Sequence, residues 1–394
     1  MKYYLIAGEA SGDLHGSNLM KGLYAEDQQA EIRFWGGELM NQVYKANETP
    51  VPVSEMHGGL VKDYKEGAVM GFWEVAKMAK KLLGNVKMCK NDILAWKPDV
   101  VILIDDPGFN FKIAEFAHKK GFKVFYYIAP KVWASREGRI KKLKAYVDQL
   151  FIVFPFEIPY FKSKGIDFIY KGNPLVDAIA GSRAMNESRE DFLRRNQLPD
   201  KPVIAMLAGS RKGEISTMMP VLTAFAEKMS ALPQYKDYQF LVAGAPARQM
   251  SDYARYLEKV DADVKVLFGE TQSIIRQAEA AVVNSGTASL ETVLFNTPQV
   301  VGYISGSNLT YQIAKRIVKV KYISLGNLTI NRLAFKELLQ NDCNADALVS
   351  EIRALLEDKA YREKMLADYH EIQELLGGEG ASNAVAAEMI RLLK

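Results

Sequence analysis

Short runs rich in Val, Ile, Phe and Tyr, each about the length of a buried parallel strand, alternate with amphipathic stretches through most of this chain, and the alternation occurs twice. In the first series the strand candidates are 2–7, 31–35, 99–104, 122–127, 149–153 and 166–170, with helices at 14–24, 70–83, 85–96, 111–120 and 155–163. The pattern restarts with strands at 203–208, 239–243, 264–268, 280–283 and 299–303, separated by helices near 214–231, 248–259, 271–277 and 288–295. Strand after helix after strand commits a chain to a parallel sheet with helices on both faces. Two such series predict an α/β protein of two Rossmann-like, doubly wound domains facing a cleft. The break falls in the polar stretch SRAMNESREDFLRRNQLPDKP, which follows GNPL. The expected domains are therefore 1–172 and 173–343, followed by a tail of helices, 344–394, of the kind that packs back across such a gap.

At 394 residues the chain is too long for one ordinary domain, and its 48% apolar and 25% charged residues match a soluble globular protein. No stretch approaches the ~20 consecutive apolar residues of a spanning helix. Residues 2–7 read as a first strand, because the longer apolar run and small-residue cleavage site of a signal peptide are missing. Cys89 and Cys343 form neither a CxxC pair nor a metal-ligand spacing, which fits a reduced, cytoplasmic protein. The net charge of +4 is modest, yet basic residues cluster in RIKKLK (139–144) and AKRIVKVKY (314–322). Such clusters attract phosphates or an anionic membrane surface, or else form solvated helix faces.

In open parallel sheets, ligands bind beyond the carboxyl ends of the strands, so the loops leaving those ends matter most. Four are unusual. GEASGD (8–13) joins the first strand to a helix whose N-terminus offers free N–H groups; Glu9 and Asp13 could hold hydroxyls, and Asp13 could equally cap its helix. IDDPGFN (104–110) sets two carboxylates directly after a buried strand, which is costly unless they are solvated or used. Asp105 is the candidate general base, with Asn110 beside it; the plainer alternative is that Pro107 shapes a turn and the carboxylates cap the helix at Phe111. In LAGSRKGEI (207–215), Gly209 opens the turn, Ser210 is placed to cap the helix, and Arg211 is a planar cation suited to a diphosphate. In NSGTASLE (284–291), Gly286 lets the backbone approach a ligand, Ser285, Thr287 and Ser289 offer hydroxyls, and Glu291 could accept both hydroxyls of a ribose. Together the last two loops describe a nucleotide-diphosphate pocket.

A fifth segment, AVMGFWEVAKMAKKLL (68–83), places Met70, Phe72, Trp73, Met78, Leu82 and Leu83 beside three lysines. That composition suits a helix touching a membrane interface or an acyl chain, with core packing as the ordinary alternative.

Read as a set, AGEASGD (7–13), VMGFWEV (69–75), IDDPGFN (104–110), YYIAPKVWASR (126–136), PFE (155–157), GNPL (172–175), LAGSR (207–211), SGTASLE (285–291) and NL (327–328) make the chain resemble the lipid-A-disaccharide synthase family through almost its whole length. The resemblance implies a GT-B fold and an inverting transfer from UDP-2,3-diacylglucosamine to the 6-hydroxyl of 2,3-diacylglucosamine 1-phosphate, with release of UDP. It implies further that Asp105 is the carboxylate near the acceptor hydroxyl, that Arg211 binds the diphosphate and that Glu291 meets the ribose. Ser285, Gly286, Thr287 and Asn327 would line the donor pocket, with Glu9 and Ser11 facing it from the first domain. The family pattern is broken at Gly108, Asn173, Ala208 and Ser135, where aspartate, histidine, proline and tryptophan are usual.

No cofactor or metal is expected. DAD at 261–263 looks like the DxD of metal-dependent glycosyltransferases, but it precedes a strand and so falls at the end away from the expected site. His15, His57, His118 and His370 fall at no ligand spacing. The expected partners are the two acylated glucosamine substrates and the inner membrane leaflet, touched peripherally from the cytoplasm; nucleic acid is not among them, and a homodimer is compatible. Competing readings are a UDP-N-acetylglucosamine 2-epimerase, a peptidoglycan transferase, or a UDP-sugar-binding protein without chemistry, since one architecture hosts many functions.

Overall fold

This computed structural model describes residues 1–48, 57–64, 74–134, 136–305 and 321–394, the side chains of 74–81 excepted. The chain forms two compact units, Met1–Ala178 with Leu376–Lys394, and Ile179–Leu375. In chain order the first contains β1 (Lys2–Ala7), α1 (Ala10–Glu26), β2 (Glu31–Gly36), α2 (Glu38–Ala46), β3 (Gly59–Asp63), α3 (Glu74–Trp96), β4 (Val100–Ile104), α4 (Pro107–Lys119), β5 (Lys123–Tyr127), α5 (Ile140–Tyr146), β6 (Gln149–Ile152), α6 (Glu157–Ser163), β7 (Phe168–Tyr170) and α7 (Pro174–Ala180). The second contains α8 (Arg183–Asn186), α9 (Arg189–Arg195), β8 (Val203–Leu207), α10 (Lys212–Ser230), β9 (Gln239–Gly244), α11 (Ala254–Leu257), β10 (Val264–Phe268), α12 (Thr271–Gln277), β11 (Ala280–Asn284), α13 (Thr287–Leu294), β12 (Gln299–Tyr303), α14 (Leu325–Ile330), β13 (Glu337–Leu339), α15 (Ala345–Glu357) and α16 (Lys359–Leu376). The last helix, α17 (Ala381–Leu393), belongs to the first unit again.

Both sheets are parallel throughout. The first runs β3-β2-β1-β4-β5-β6-β7 and the second β10-β9-β8-β11-β12-β13. The central strands, such as VVILI in β4 and VIAML in β8, are buried at every position, which is why they read as unbroken apolar runs rather than alternating ones. Alternate residues of the first sheet feed two cores. Tyr4, Ile6, Val101 and Leu103 pack with Ile93 of α3 and Ile113 of α4; Tyr3, Leu5, Ile102 and Ile104 pack with Leu19 and Leu23 of α1 and with Val385, Ala386, Met389 and Ile390 of α17.

α17 is seated by more than apolar contact. Asp177 accepts hydrogen bonds from the N–H groups of Gly380 (2.6 Å) and Ser382 (2.7 Å), capping its start. A Cβ on Gly22 of α1 would lie 2.9 Å from the Cβ of Ala386, so the two helices approach closely there.

Several elements depart from expectation. α4 begins at Pro107, four residues before the expected start, because proline at the first helical position is preorganised for it. One helix, α3, spans what reads as two, since Gly84 is exposed and meets nothing within 4 Å, leaving the helix free to continue. The helix expected over 248–259 shrinks to α11, preceded by a single 3₁₀ turn, Met250–Asp252.

Candidate functional site

Strand order reverses between β1 and β4 in the first sheet and between β8 and β11 in the second. These are the switch points at which doubly wound sheets open a crevice at their carboxyl edge. The four chemistry-bearing loops are the ones that flank them. GEASGD follows β1 and IDDPGFN follows β4; LAGSR follows β8 and NSGT follows β11. In each unit a glycine permits the contact across the switch. A Cβ on Gly8 would lie 2.4 Å from Asp106 Oδ2, and one on Gly209 would lie 2.7 Å from Asn284 Nδ2.

In the first unit, Asp105 and Asp106 have φ of +45° and +31°, and Ile128, just past β5, has +63°. Three non-glycine residues held in this region at neighbouring strand ends store strain of the kind found where function over-determines geometry, above all at a β-branched isoleucine. The Asp105 backbone is pinned: its N–H donates to the Tyr127 carbonyl (3.2 Å), while its carbonyl accepts the Tyr126 hydroxyl (2.6 Å) and Asn110 Nδ2 (2.8 Å). Burial pushes its carboxyl above the usual range; Lys131 opposes that rise, and Glu9 and Asp106 add to it. Asp106 is raised as well, by burial and then by Glu9, with Arg139 opposing. Glu9, Asp105 and Asp106 therefore form one acidic group, within which Asp105 and Asp106 are stronger bases than exposed carboxylates.

The neighbouring loop, after β5, is held by a residue that carries no role in the sequence reading above. Glu157 is buried and accepts hydrogen bonds from Trp133 Nε1 (3.0 Å) and the N–H groups of Val153 (3.2 Å) and Phe154 (3.1 Å). Burial raises its carboxyl to about 7. Tyr160 also donates to the Val132 carbonyl (3.2 Å). The available signal was an acidic residue within the apolar run VFPFEIPYF.

In the second unit, Gly209 has φ +97° and allows the turn into α10. Glu214 accepts the N–H groups of Ser210 (3.0 Å) and Arg211 (3.1 Å) and the Arg211 guanidinium (2.9 Å). The cap residue is thus Arg211, and Glu214 satisfies the helix start that Ser210 was expected to cap. The Arg211 side chain is 71% exposed, and an ion pair so open contributes at most about 1 kcal/mol, little to surrender to a diphosphate. Gly286 precedes α13, and Gly286 and Thr287 are exposed. Ser285 Oγ donates to the Ile323 carbonyl (3.3 Å). Glu291 is half-buried, raised by burial, and accepts a bond from Gln272 Nε2 (3.2 Å).

Four expected site residues spend their side chains inside the fold. Asp13 is buried and accepts the N–H groups of Gly37 (2.7 Å), Leu39 (3.1 Å) and Met40 (3.1 Å), capping α2 rather than its own helix. Asn110 is fully buried and donates to the Ile104 (3.1 Å) and Asp105 carbonyls, so it shapes the loop. The Ser289 hydroxyl is buried against the Gly286 carbonyl (2.8 Å). Asn327 donates to the Phe335 carbonyl (2.9 Å) and Glu337 (2.8 Å) and accepts from Ala334 N–H (2.8 Å), which fastens the approach to β13. Ser11 lies half-buried in the first turn of α1. Of the suggested membrane contacts, Leu82 and Leu83 are exposed, by 38% and 62%. Met70, Phe72, Trp73 and the Met78 side chain lie outside the described residues. In DAD, Asp263 accepts a bond from Lys201 (3.1 Å) and precedes β10.

The family model described as lipid-A-disaccharide synthetase matches residues 3–390. Curated relatives named lipid-A-disaccharide synthase, from Geobacter sulfurreducens and Syntrophus aciditrophicus, are each 34% identical, covering 99% of this chain and 96% and 97% of their own lengths. Among solved structures, UDP-GlcNAc 2-epimerase from Neisseria meningitidis bound to UDP-GlcNAc is similar with a TM-score of 0.70 at 13% identity, covering 99% of this chain and 100% of that one. A calicheamicin glycosyltransferase is similar with a TM-score of 0.57 at 14% identity, covering 99% and 98%. At such identities the likeness is one of fold alone.

Proposed function

Since this chain belongs to the lipid-A-disaccharide synthetase family, we propose that its two switch points divide one reaction, the first serving the acceptor hydroxyl and the second the UDP-sugar. The chain is a UDP-sugar glycosyltransferase of lipid A biosynthesis with a GT-B architecture. The specific transfer is from UDP-2,3-diacylglucosamine to the 6-hydroxyl of 2,3-diacylglucosamine 1-phosphate, with inversion. Its strongest support is the unlike chemistry of the two switch points: an acidic group with raised carboxyls in one unit, a glycine–arginine turn and a helix start in the other.

In a single displacement, Asp105 takes the proton of the 6-hydroxyl as its oxygen bonds to the anomeric carbon, a contribution of typically ~10²–10⁴-fold. The bond from that carbon to the diphosphate breaks, and its electron pair leaves with UDP. Arg211 and the N–H groups at the start of α13 offset the charge on the departing diphosphate. Glu291 holds the ribose. Asn110 and Tyr126 act through Asp105, by fixing the backbone that carries it.

Mass spectrometry after incubation with both acylated substrates tests this. Asp105→Asn is expected to lower product formation by ~10²–10⁴-fold while calorimetric UDP affinity stays unchanged. Arg211→Ala is expected to weaken UDP binding by ~10–100-fold, the worth of a hydrogen bond to a charged group. Full activity in Asp105→Asn removes it as the base, and turnover of UDP-N-acetylglucosamine alone would indicate an epimerase instead.

No described helix is long and apolar enough to cross a membrane. Attachment is proposed to be peripheral, on the cytoplasmic face of the inner membrane, through the 68–83 segment, of which Leu82 and Leu83 are exposed. Equal binding to anionic and neutral vesicles, indifferent to salt, would exclude it.

A further inference from the structure

Beside the acidic group of the first unit sits a cationic one. Lys131 occupies the apex of a tight turn in which Val132 N–H donates to the Pro130 carbonyl (2.6 Å) and Ala134 N–H to the Lys131 carbonyl (3.2 Å). The turn is clamped from Val132 by Tyr160 and from Trp133 by the buried Glu157, so Lys131 is presented by a fixed backbone. Arg136, at φ +57°, starts the short 3₁₀ helix that carries Arg139. The Arg139 guanidinium lies 6.0 Å from the ring of Phe111, and the Lys142 ammonium lies 6.0 Å from the same ring. Phe111 stands in α4, the helix that Asp106 precedes.

Among the described residues, no carboxylate lies within ion-pairing distance of Lys131, Arg136 or Arg139. Burial and the Arg136 guanidinium both push Arg139 below its ordinary value, with Tyr126 and Asp106 opposing, so Arg136 and Arg139 are crowded as well as unpaired. Such crowding costs free energy that an anion would recover, and guanidinium forks match phosphate oxygens. β4 and β5 are adjacent and in register, Ile104 opposite Tyr127, so the loops carrying Asp105 and Lys131 leave the same edge side by side.

We propose that Lys131, Arg136 and Arg139 form the seat of the acceptor's 1-phosphate. This rests on the acceptor assigned above, whose phosphomonoester sits on the same sugar as the hydroxyl delivered to Asp105. A dianion cannot approach Glu9, Asp105 and Asp106 unless cations stand beside them, and these three do. The cluster then selects phosphorylated over unphosphorylated glucosamine and orients the ring with its 6-hydroxyl toward the carboxylate.

The test compares short-chain diacylglucosamine with and without the 1-phosphate as acceptors. The wild type is expected to favour the phosphorylated acceptor by ~10–100-fold in kcat/KM. In Arg139→Met that preference falls at least tenfold with the donor KM unchanged, and Arg139→Lys restores part of it. Lys131→Met, which leaves the Phe111 packing alone, shows the same loss of preference. Equal losses on both acceptors, or a wild type that does not discriminate, would overturn the seat. A wild type that joins neither acceptor to the donor would instead overturn the reaction on which the seat depends. Because a bilayer phosphodiester offers similar chemistry, the variants are also tested on phosphatidylglycerol vesicles. Unchanged vesicle binding is expected, whereas lost vesicle binding with the acceptor preference intact would assign the cations to the membrane and overturn the proposal.

Discussion

A carboxyl removed from water yet faced by three N–H donors is pulled in two directions, and at Glu157 burial prevails, holding it at about 7. Because that value exceeds the ordinary 4.5, its contribution to stability is complete below about pH 4.5 and is lost as pH rises through 7. The loss is roughly 3 kcal/mol at most. Glu157→Gln cannot titrate, so melting temperatures measured from pH 5 to 8 should move in the variant's favour as pH rises; a constant gap between the two proteins would rule out the buried titration. Residues of this kind mark where sequence reasoning stops. The spacing around Asp105 and Arg211 was enough to put both at strand ends. It could not tell which polar side chains turn inward, because the partners of Asp13 belong to α2, and those of Asn327 to the segment leading into β13, neither element being visible as a pattern.

At the scale of elements, the buried strands were legible because each is a dense apolar run, whereas β3 (GLVKD) and β13 (ELL) are short edge strands that carry charge and break the pattern. The strand-end loops were legible one by one, but their pairing required the strand order. That pairing rests on Gly8 and Gly209, and the two make different predictions. Gly209→Ala forces a side chain into a φ of +97° and to within 2.6 Å of Glu214, so it should cost about 1–3 kcal/mol of stability and weaken UDP binding. Gly8→Ala displaces Asp106 instead and should lower turnover by ~10²-fold, the scale of a 1 Å misplacement, while UDP affinity measured by calorimetry is kept. Identical phenotypes for the two would argue that the loops do not serve separate substrates.

For the whole molecule, the second unit is one uninterrupted stretch of chain, Ile179–Leu375, while the first is assembled from both ends. The fragment 179–375 should therefore fold by itself and bind UDP, as calorimetry and a cooperative melt would reveal. A chain ending at Gly378 lacks Val385, Ala386, Met389 and Ile390, whose burial is worth several kcal/mol, and limited proteolysis should find only its second unit protected. A ribosome releases such a protein in an awkward sequence. The segment made first cannot close its core until α17 emerges, so the nascent amino-terminal half has to be kept from aggregating until that helix is made.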